Sequence, residues 1–225
     1  MSNPDMNAQM NSGLAESLLM VNKLDYKLPP QISIASKCTH VINYSQQASY
    51  KNGDTLIFDV QTGSQFVDPA CSYLRFVVSP NDSLHCFGSG SAKNLFSRIV
   101  VRTATGKELS RVEDANLLMK LNDVYNNSND WRTTLGKNQG YTEAPANNVL
   151  ADAVPSTGKV FTLPIQDLMP CMSPHGAKLV PPNIMSGLRI ELSLASPDDA
   201  FSSINQAAVA TLASYTVNNC EMHFK

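Results

Sequence analysis

From residue 38 onward, apolar and polar side chains alternate with a period of two, the pattern of half-buried β-strands. In the run 188–194, Leu188, Ile190, Leu192 and Leu194 share one parity, and Arg189, Glu191 and Ser193 hold the other. The run 55–61 places Leu56, Phe58 and Val60 inward, and 73–78 does the same with Leu74, Phe76 and Val78. In 95–103, Leu95, Ile99 and Val101 oppose Arg98 and Arg102. Weaker strands are expected at 40–45, 160–164 and 207–212. The last run, 215–224, has Tyr215 and Val217 on one parity but Cys220, Met222 and Phe224 on the other, which predicts a β-bulge at Asn218-Asn219. Turn-forming residues separate these runs, among them Asn52-Gly53-Asp54, Pro80-Asn81-Asp82, Thr105-Gly106-Lys107 and Ser196-Pro197-Asp198-Asp199.

Helical spacing interrupts the strands once. Ser110-Arg111-Val112-Glu113 fits a capping box, and beyond it Leu117, Leu118, Leu121, Val124 and Tyr125 form an amphipathic stripe ended by Asn126-Asn127. A one-turn helix is expected at 165–169, between Pro164 and Pro170. Residues 126–158 read as a long irregular loop carrying Trp131, Tyr141 and Leu150, which predicts that the loop packs on another subunit. Seven or eight short strands with helices only in the connections predict two packed sheets and an all-β class.

The first 37 residues differ. Residues 1–12 offer little to bury, and Ser12 is placed to cap a short helix over 13–24 that sets Leu14, Leu18 and Val21 on one side. Pro29-Pro30 then stops it. This segment is expected to be an arm, partly extended or disordered, that orders against a neighbouring subunit. Its lysines, Lys23, Lys27 and Lys37, are cancelled by Asp5, Glu16 and Asp25, so it is not built to neutralise phosphates. The whole chain of 225 residues has a net charge of −2 and only 16% charged residues, against roughly 25% in an average domain. Bulk electrostatic binding of nucleic acid is thereby excluded, and the 43% apolar share excludes a wholly disordered chain. No secretory leader or apolar membrane span is apparent, and the odd count of five cysteines lacks a C-x-x-C pair, so the expectation is an intracellular product with reduced thiols.

Three segments carry a resemblance. Residues 63–78 read TG, then DP, then SYLRFVV; residues 95–121 read LFSRIVV, then TGKEL, then a helix with ANLL; residues 180–194 read VPPNIMSGLRIELSL. With their grouping, residues 38–225 resemble the single jelly-roll capsid proteins of icosahedral viruses. The resemblance implies a sandwich of two four-stranded antiparallel sheets, with one helix after the fourth strand and a long loop. It implies a virion protein, assembled inside the host cell, that forms a shell or its vertices with copies of itself and other capsid proteins. It also implies a sheet of strands 40–45, 72–79, 176–180 and 213–224 facing one of 55–62, 95–103, 159–164 and 187–195. Subunit contacts are then expected at Leu14, Leu18, Pro29, Ile57, Val100, Trp131, Tyr141 and Leu150, with Ile57 and Val100 facing outward on one sheet. The neutral arm departs from the basic arms common in capsids that package single-stranded RNA. It points to a shell over condensed genome or an internal membrane, or to a vertex piece.

Candidate chemistry changes this picture little. His40, His85, His175 and His223 make no metal-binding pair, and His85-Cys86 are adjacent in a strand and so point to opposite faces; no metal, cofactor or catalytic residue is expected. Residues 88–93 lack phosphate-loop spacing. Lys93, Arg98, Arg102, Lys107 and Arg111 against Glu108 give a local charge of +4, a candidate nucleic-acid face or a face of ion pairs, with no aromatic platform between the charges. The competing reading is a glycan-binding jelly roll, whose candidate cluster is Asp123, Tyr125, Asn126, Asn127, Asp130 and Trp131.

Overall fold

The computed structural model describes residues 39–142, 153–172, 179–203, 212 and 214–225. Of the two units into which the chain divides, Met1–Cys38 and Thr39–Lys225, the described residues all fall in the second. Leu14, Leu18, Pro29 and Leu150, with the expected helix at 13–24, lie outside them, as does most of the expected strand at 207–212.

The strands are β1 (Val41–Tyr44), β2 (Ser49–Lys51), β3 (Thr55–Asp59), β4 (Tyr73–Pro80), β5 (His85–Cys86), β6 (Phe96–Arg102), β7 (Glu108–Val112), β8 (Lys159–Pro164), β9 (Arg189–Leu194), β10 (Ser202–Ser203) and β11 (Tyr215–Phe224). One sheet runs β1-β11-β4-β8, with β2 also paired to β11; the other runs β3-β9-β6-β7; β5 and β10 form a small third ladder. All of these pairings are antiparallel. With the short β2, β5 and β10 set aside, the eight strands in chain order are laid 1-8-3-6 in one sheet and 2-7-4-5 in the other. That interleaving is the jelly roll, in which two Greek keys wrap around one core.

The alternation in the sequence accounts for the core. Along β4 every second residue is buried, and Leu74, Phe76 and Val78 line up with Leu163 and Phe161 of β8 and Val217 and Met222 of β11. From the opposite sheet come Leu56, Phe58, Ile99, Val101, Ile190 and Leu192. Phe76 meets Phe96 edge to face, with ring centroids 5.8 Å apart. Each buried Phe or Leu contributes about 1.5–3 kcal/mol by leaving water. The predicted bulge in β11 is present. The register shifts between Asn218 and Glu221, Asn219 takes a positive φ of 50°, and the inward parity passes from Tyr215 and Val217 to Cys220, Met222 and Phe224. The buried Tyr215 hydroxyl donates to the Ala195 carbonyl at 2.6 Å, so its polar tip is satisfied within the core.

Two expectations are corrected. Residues 108–112 form β7, and no capping box opens a helix at Ser110. Thr103 Oγ1 accepts from the Lys107 backbone N–H, closing a tight turn that folds β7 back on β6. The ladder then supplies partners for the N–H groups that Ser110 and Glu113 were expected to cap. The helix, α1 (Ala115–Tyr125), starts after Asp114, which sits at a positive φ of 49°. The insertion of β7 moves the later strands along by one. The 159–164 strand therefore pairs with β4 in the first sheet, and Val180 makes only an isolated bridge to Val67. The one-turn helix Ile165–Leu168 is present, preceded by Pro164.

Candidate assembly surface

The outer face of the β3-β9-β6-β7 sheet carries the residues expected to meet other molecules. The register aligns Ile57, Glu191, Val100 and Arg111 in one row across four strands. Ile57 is half-buried. Val100, expected to face outward to solvent, is 1% exposed and is corrected: it is covered by its own chain. Arg102 and Arg189 stand opposite each other, and each has its own carboxylate, Glu191 at 3.7 Å and Asp59 at 2.9 Å. The Arg189 hydrogen bond outweighs burial in holding the Asp59 carboxyl below its ordinary range. Arg98 donates to Ser193 Oγ. Of the candidate nucleic-acid residues, Lys107 is exposed, whereas Arg98 and Arg102 are half-buried and engaged.

Lys93 is withdrawn from that face altogether, which corrects its place in the basic patch. A short helical turn, Ala92–Leu95, buries it, and its ammonium lies 2.8 Å from Asp123 and 3.0 Å from Asp167. Asp123 is 0% exposed; it also accepts from the Ser91 hydroxyl at 2.5 Å and the Asn127 amide at 3.1 Å. The Lys93 ammonium lies 5.2 Å from the centre of the Trp131 ring.

The described residues 126–142 of the long loop carry helices that its sequence did not predict. These are α2 (Asn129–Thr133), capped by the Ser128 hydroxyl, and α3 (Leu135–Asn138). Trp131 meets Tyr141 edge to face at 5.6 Å, and Tyr141 is buried. The next corner needs glycine: Gly140 has φ +80°, and a Cβ there would lie 2.7 Å from Phe161. These two aromatics, expected to pack on another subunit, are therefore packed on their own chain. Of the candidate glycan cluster, Asp123 is spent internally and Trp131 is partly covered, while Tyr125, Asn126 and Asp130 are exposed.

The outer side of α1 is open. Its inner side is Ala115, Met119 and Asp123, while Leu117, Leu118, Leu121 and Tyr125 are exposed. The stripe was legible in the sequence, but its direction was not. A recess of about 300 Å³ lies nearer the β6–β7 turn, lined by Leu109, Ile184 and Leu188 among others.

At the strand ends of the first sheet, His223 stacks on Tyr73 at 4.5 Å between centroids, and its Nδ1 lies 3.1 Å from His40 Nε2. Its Nε2 lies 3.1 Å from Glu221, whose carboxylate also accepts from Arg75 at 2.9 Å. Burial raises the Glu221 carboxyl, but the bonds to His223 and Arg75 outweigh it and hold it below its ordinary range. A depressed carboxyl stabilises the fold above its unfolded-state value and loses that contribution as pH falls through the folded value. Glu221→Gln is therefore expected to lower Tm at neutral pH and to narrow the gap to the wild type below about pH 4; melts from pH 7 to 3 check this. In β5, Cys86 Sγ contacts the Ser202 carbonyl and His85 Nδ1 lies 2.6 Å from Asp82. Among the described residues no group of three or more His, Cys, Asp or Glu converges as a metal site.

The strand order and sheet pairing define a jelly-roll protein. The particular likeness is to viral capsid proteins of that fold. The chain superposes on the "PBCV-1 virus capsid, quasi-atomic model" with a TM-score of 0.51 and 11% identity, over 88% of this chain and 44% of that one. It also superposes on PBCV-1 VP54, as fitted into a reconstruction of the virophage Sputnik, with a TM-score of 0.50 and 12% identity over the same shares. The chain thus spans less than half the length of these neighbours. No protein-family model and no curated protein matches the sequence.

Proposed function

We propose that this chain is a virion structural protein that associates with copies of itself, and with other capsid proteins, into a shell or its vertices. The observation that carries this reading is the pair of interleaved sheets, shared over 88% of the chain with the PBCV-1 capsid. The surface supports it. Charged groups on the outer face of the second sheet are largely paired across strands, and large apolar groups are open both on α1 and elsewhere, among them Tyr44, Phe66 and Ile184, with no cleft of convergent reactive side chains among the described residues. Such a surface suits burial against another subunit, which for a stable contact takes about 800 Å² per partner. With Lys93 internal and Arg98 and Arg102 engaged, nucleic-acid contact is weak or absent. No catalysis and no cofactor are required.

Negative-stain microscopy of the purified full chain tests the reading. Rings, capsomers or particles are expected; a monomer at every concentration overturns it. The arm is proposed to act in assembly through Leu14, Leu18 and Pro29. Deleting residues 1–37 is therefore expected to leave the melting transition intact and to reduce particle yield several-fold, and an unchanged yield removes the arm from the mechanism.

A further inference from the structure

We infer that the outward stripe of α1 is a two-fold contact, in which α1 of one copy lies antiparallel against α1 of a second copy of this chain. The inference deepens the capsid reading, on which it rests, by naming one of its contact surfaces.

The helix is inverted relative to ordinary amphipathic logic. Its three largest aliphatic side chains and its tyrosine face outward; Leu117 is 58% and Tyr125 79% exposed. The inner face instead carries Ala115, Met119 and the fully buried Asp123. This orientation is locked. Turning the stripe inward would tear Asp123 from Lys93, Ser91 and Asn127 and strand a buried ammonium. The fold thus holds an apolar patch of roughly 400 Å² toward solvent, at the size where patches on monomers are often functional. It supplies about half of what one partner buries in a stable contact, and so fits the apolar centre of an interface with a polar rim.

Self-complementarity identifies a second copy as the occupant. Exposed Asp114 directly precedes the helix, at the amino-terminal end of the stripe. An antiparallel overlay centred between Met119 and Lys120 sets Leu118 of each copy against Leu121 of the other. The same overlay brings Tyr125 of each copy level with the exposed Asp114 of the other, whose carboxylate is an acceptor for the tyrosine hydroxyl. One patch then satisfies itself about a two-fold axis, as an isologous contact requires. The opposed helix dipoles also favour this alignment.

Sedimentation velocity on the full chain tests the contact. Leu118→Lys alone and Leu121→Glu alone are expected to weaken self-association at least tenfold with melting unchanged, since both positions are solvent-facing. Mixing the two variants is expected to restore association, because only the antiparallel register brings the introduced ammonium of one chain to the introduced carboxylate of the other. Should either variant fold poorly, Leu117→Gln is the substitute and is expected to weaken association likewise. Association of the single variants at wild-type strength, or no rescue on mixing, overturns the α1 contact and leaves the capsid reading standing if particles still form. A wild-type chain that stays monomeric overturns both.

Discussion

Replacing Ile190 by Asp is expected to abolish soluble folding. Ile190 is 0% exposed at the centre of the β3-β9-β6-β7 sheet, directly opposite Phe58 on one side and Val101 on the other. The substitution removes packing whose loss costs about 2–5 kcal/mol in a large-to-small change. It also places a carboxyl where nothing nearby can pair with it, at a further cost of several kcal/mol whether the group ionises or holds its proton. Against a typical total stability of about 5–15 kcal/mol, the sum leaves little or nothing. The soluble fraction on expression and a thermal melt of any soluble material check this. Arg189→Ala, one residue away on the exposed parity, is the control: it loses only a surface ion pair and is expected to melt close to the wild type. Wild-type melting of Ile190→Asp would contradict the parity of β9 and the core built on it.

The second large effect is expected at the buried ion pair. Asp123→Ala leaves the Lys93 ammonium inside the protein with Asp167 as its remaining carboxylate, and frees the Ser91 hydroxyl and Asn127 amide from their acceptor. Breaking a buried pair from one side costs about 3–5 kcal/mol. For a domain of this size that is a fall in Tm of about 10 °C, measurable by calorimetry. Removing both charges behaves differently. Lys93→Met with Asp123→Leu keeps the volume and strands no charge, so most of the loss is expected to return. A double variant no better than Asp123→Ala would mean that the network holds α1 by geometry that apolar packing does not replace.

The sequence carries the parity of each strand better than its partners. In 188–194, 55–61 and 73–78 the alternation names the inward residues, because a strand with one dry face must bury every second side chain. The bulge at Asn218-Asn219 was legible for the same reason, since two parities in one strand need an extra residue between them. Strand partnership is a long-range property. Nothing in the local pattern of 159–164 says that it pairs with β4 across some eighty residues of chain. β7 was masked by chemistry of equal local strength, for Ser110 and Glu113 suit a helix start as well as an edge strand. The direction of α1 was hidden differently. Ala115, Met119 and Asp123 repeat at the same spacing as Leu117, Leu121 and Tyr125, and a lysine about thirty residues earlier decides which stripe turns inward. The aromatic pair Trp131 and Tyr141 was visible as residues that need cover; that the cover comes from their own loop depends on turns at Ser128 and Gly140 too short to leave a periodic trace.

The pairing of β1 with β11 sets Val41 opposite Phe224, and the Asp68 backbone N–H holds the Lys225 carbonyl at 2.7 Å. The sandwich therefore begins and finishes at one corner. A short peptide bridging Lys225 to His40 would circularise it without crossing the core, and a permutant reopened at the Thr103–Lys107 turn would keep both sheets while moving the chain ends to the opposite sheet. A reporter joined behind Lys225 would mark, in a micrograph, the corner of the sandwich where β1 begins.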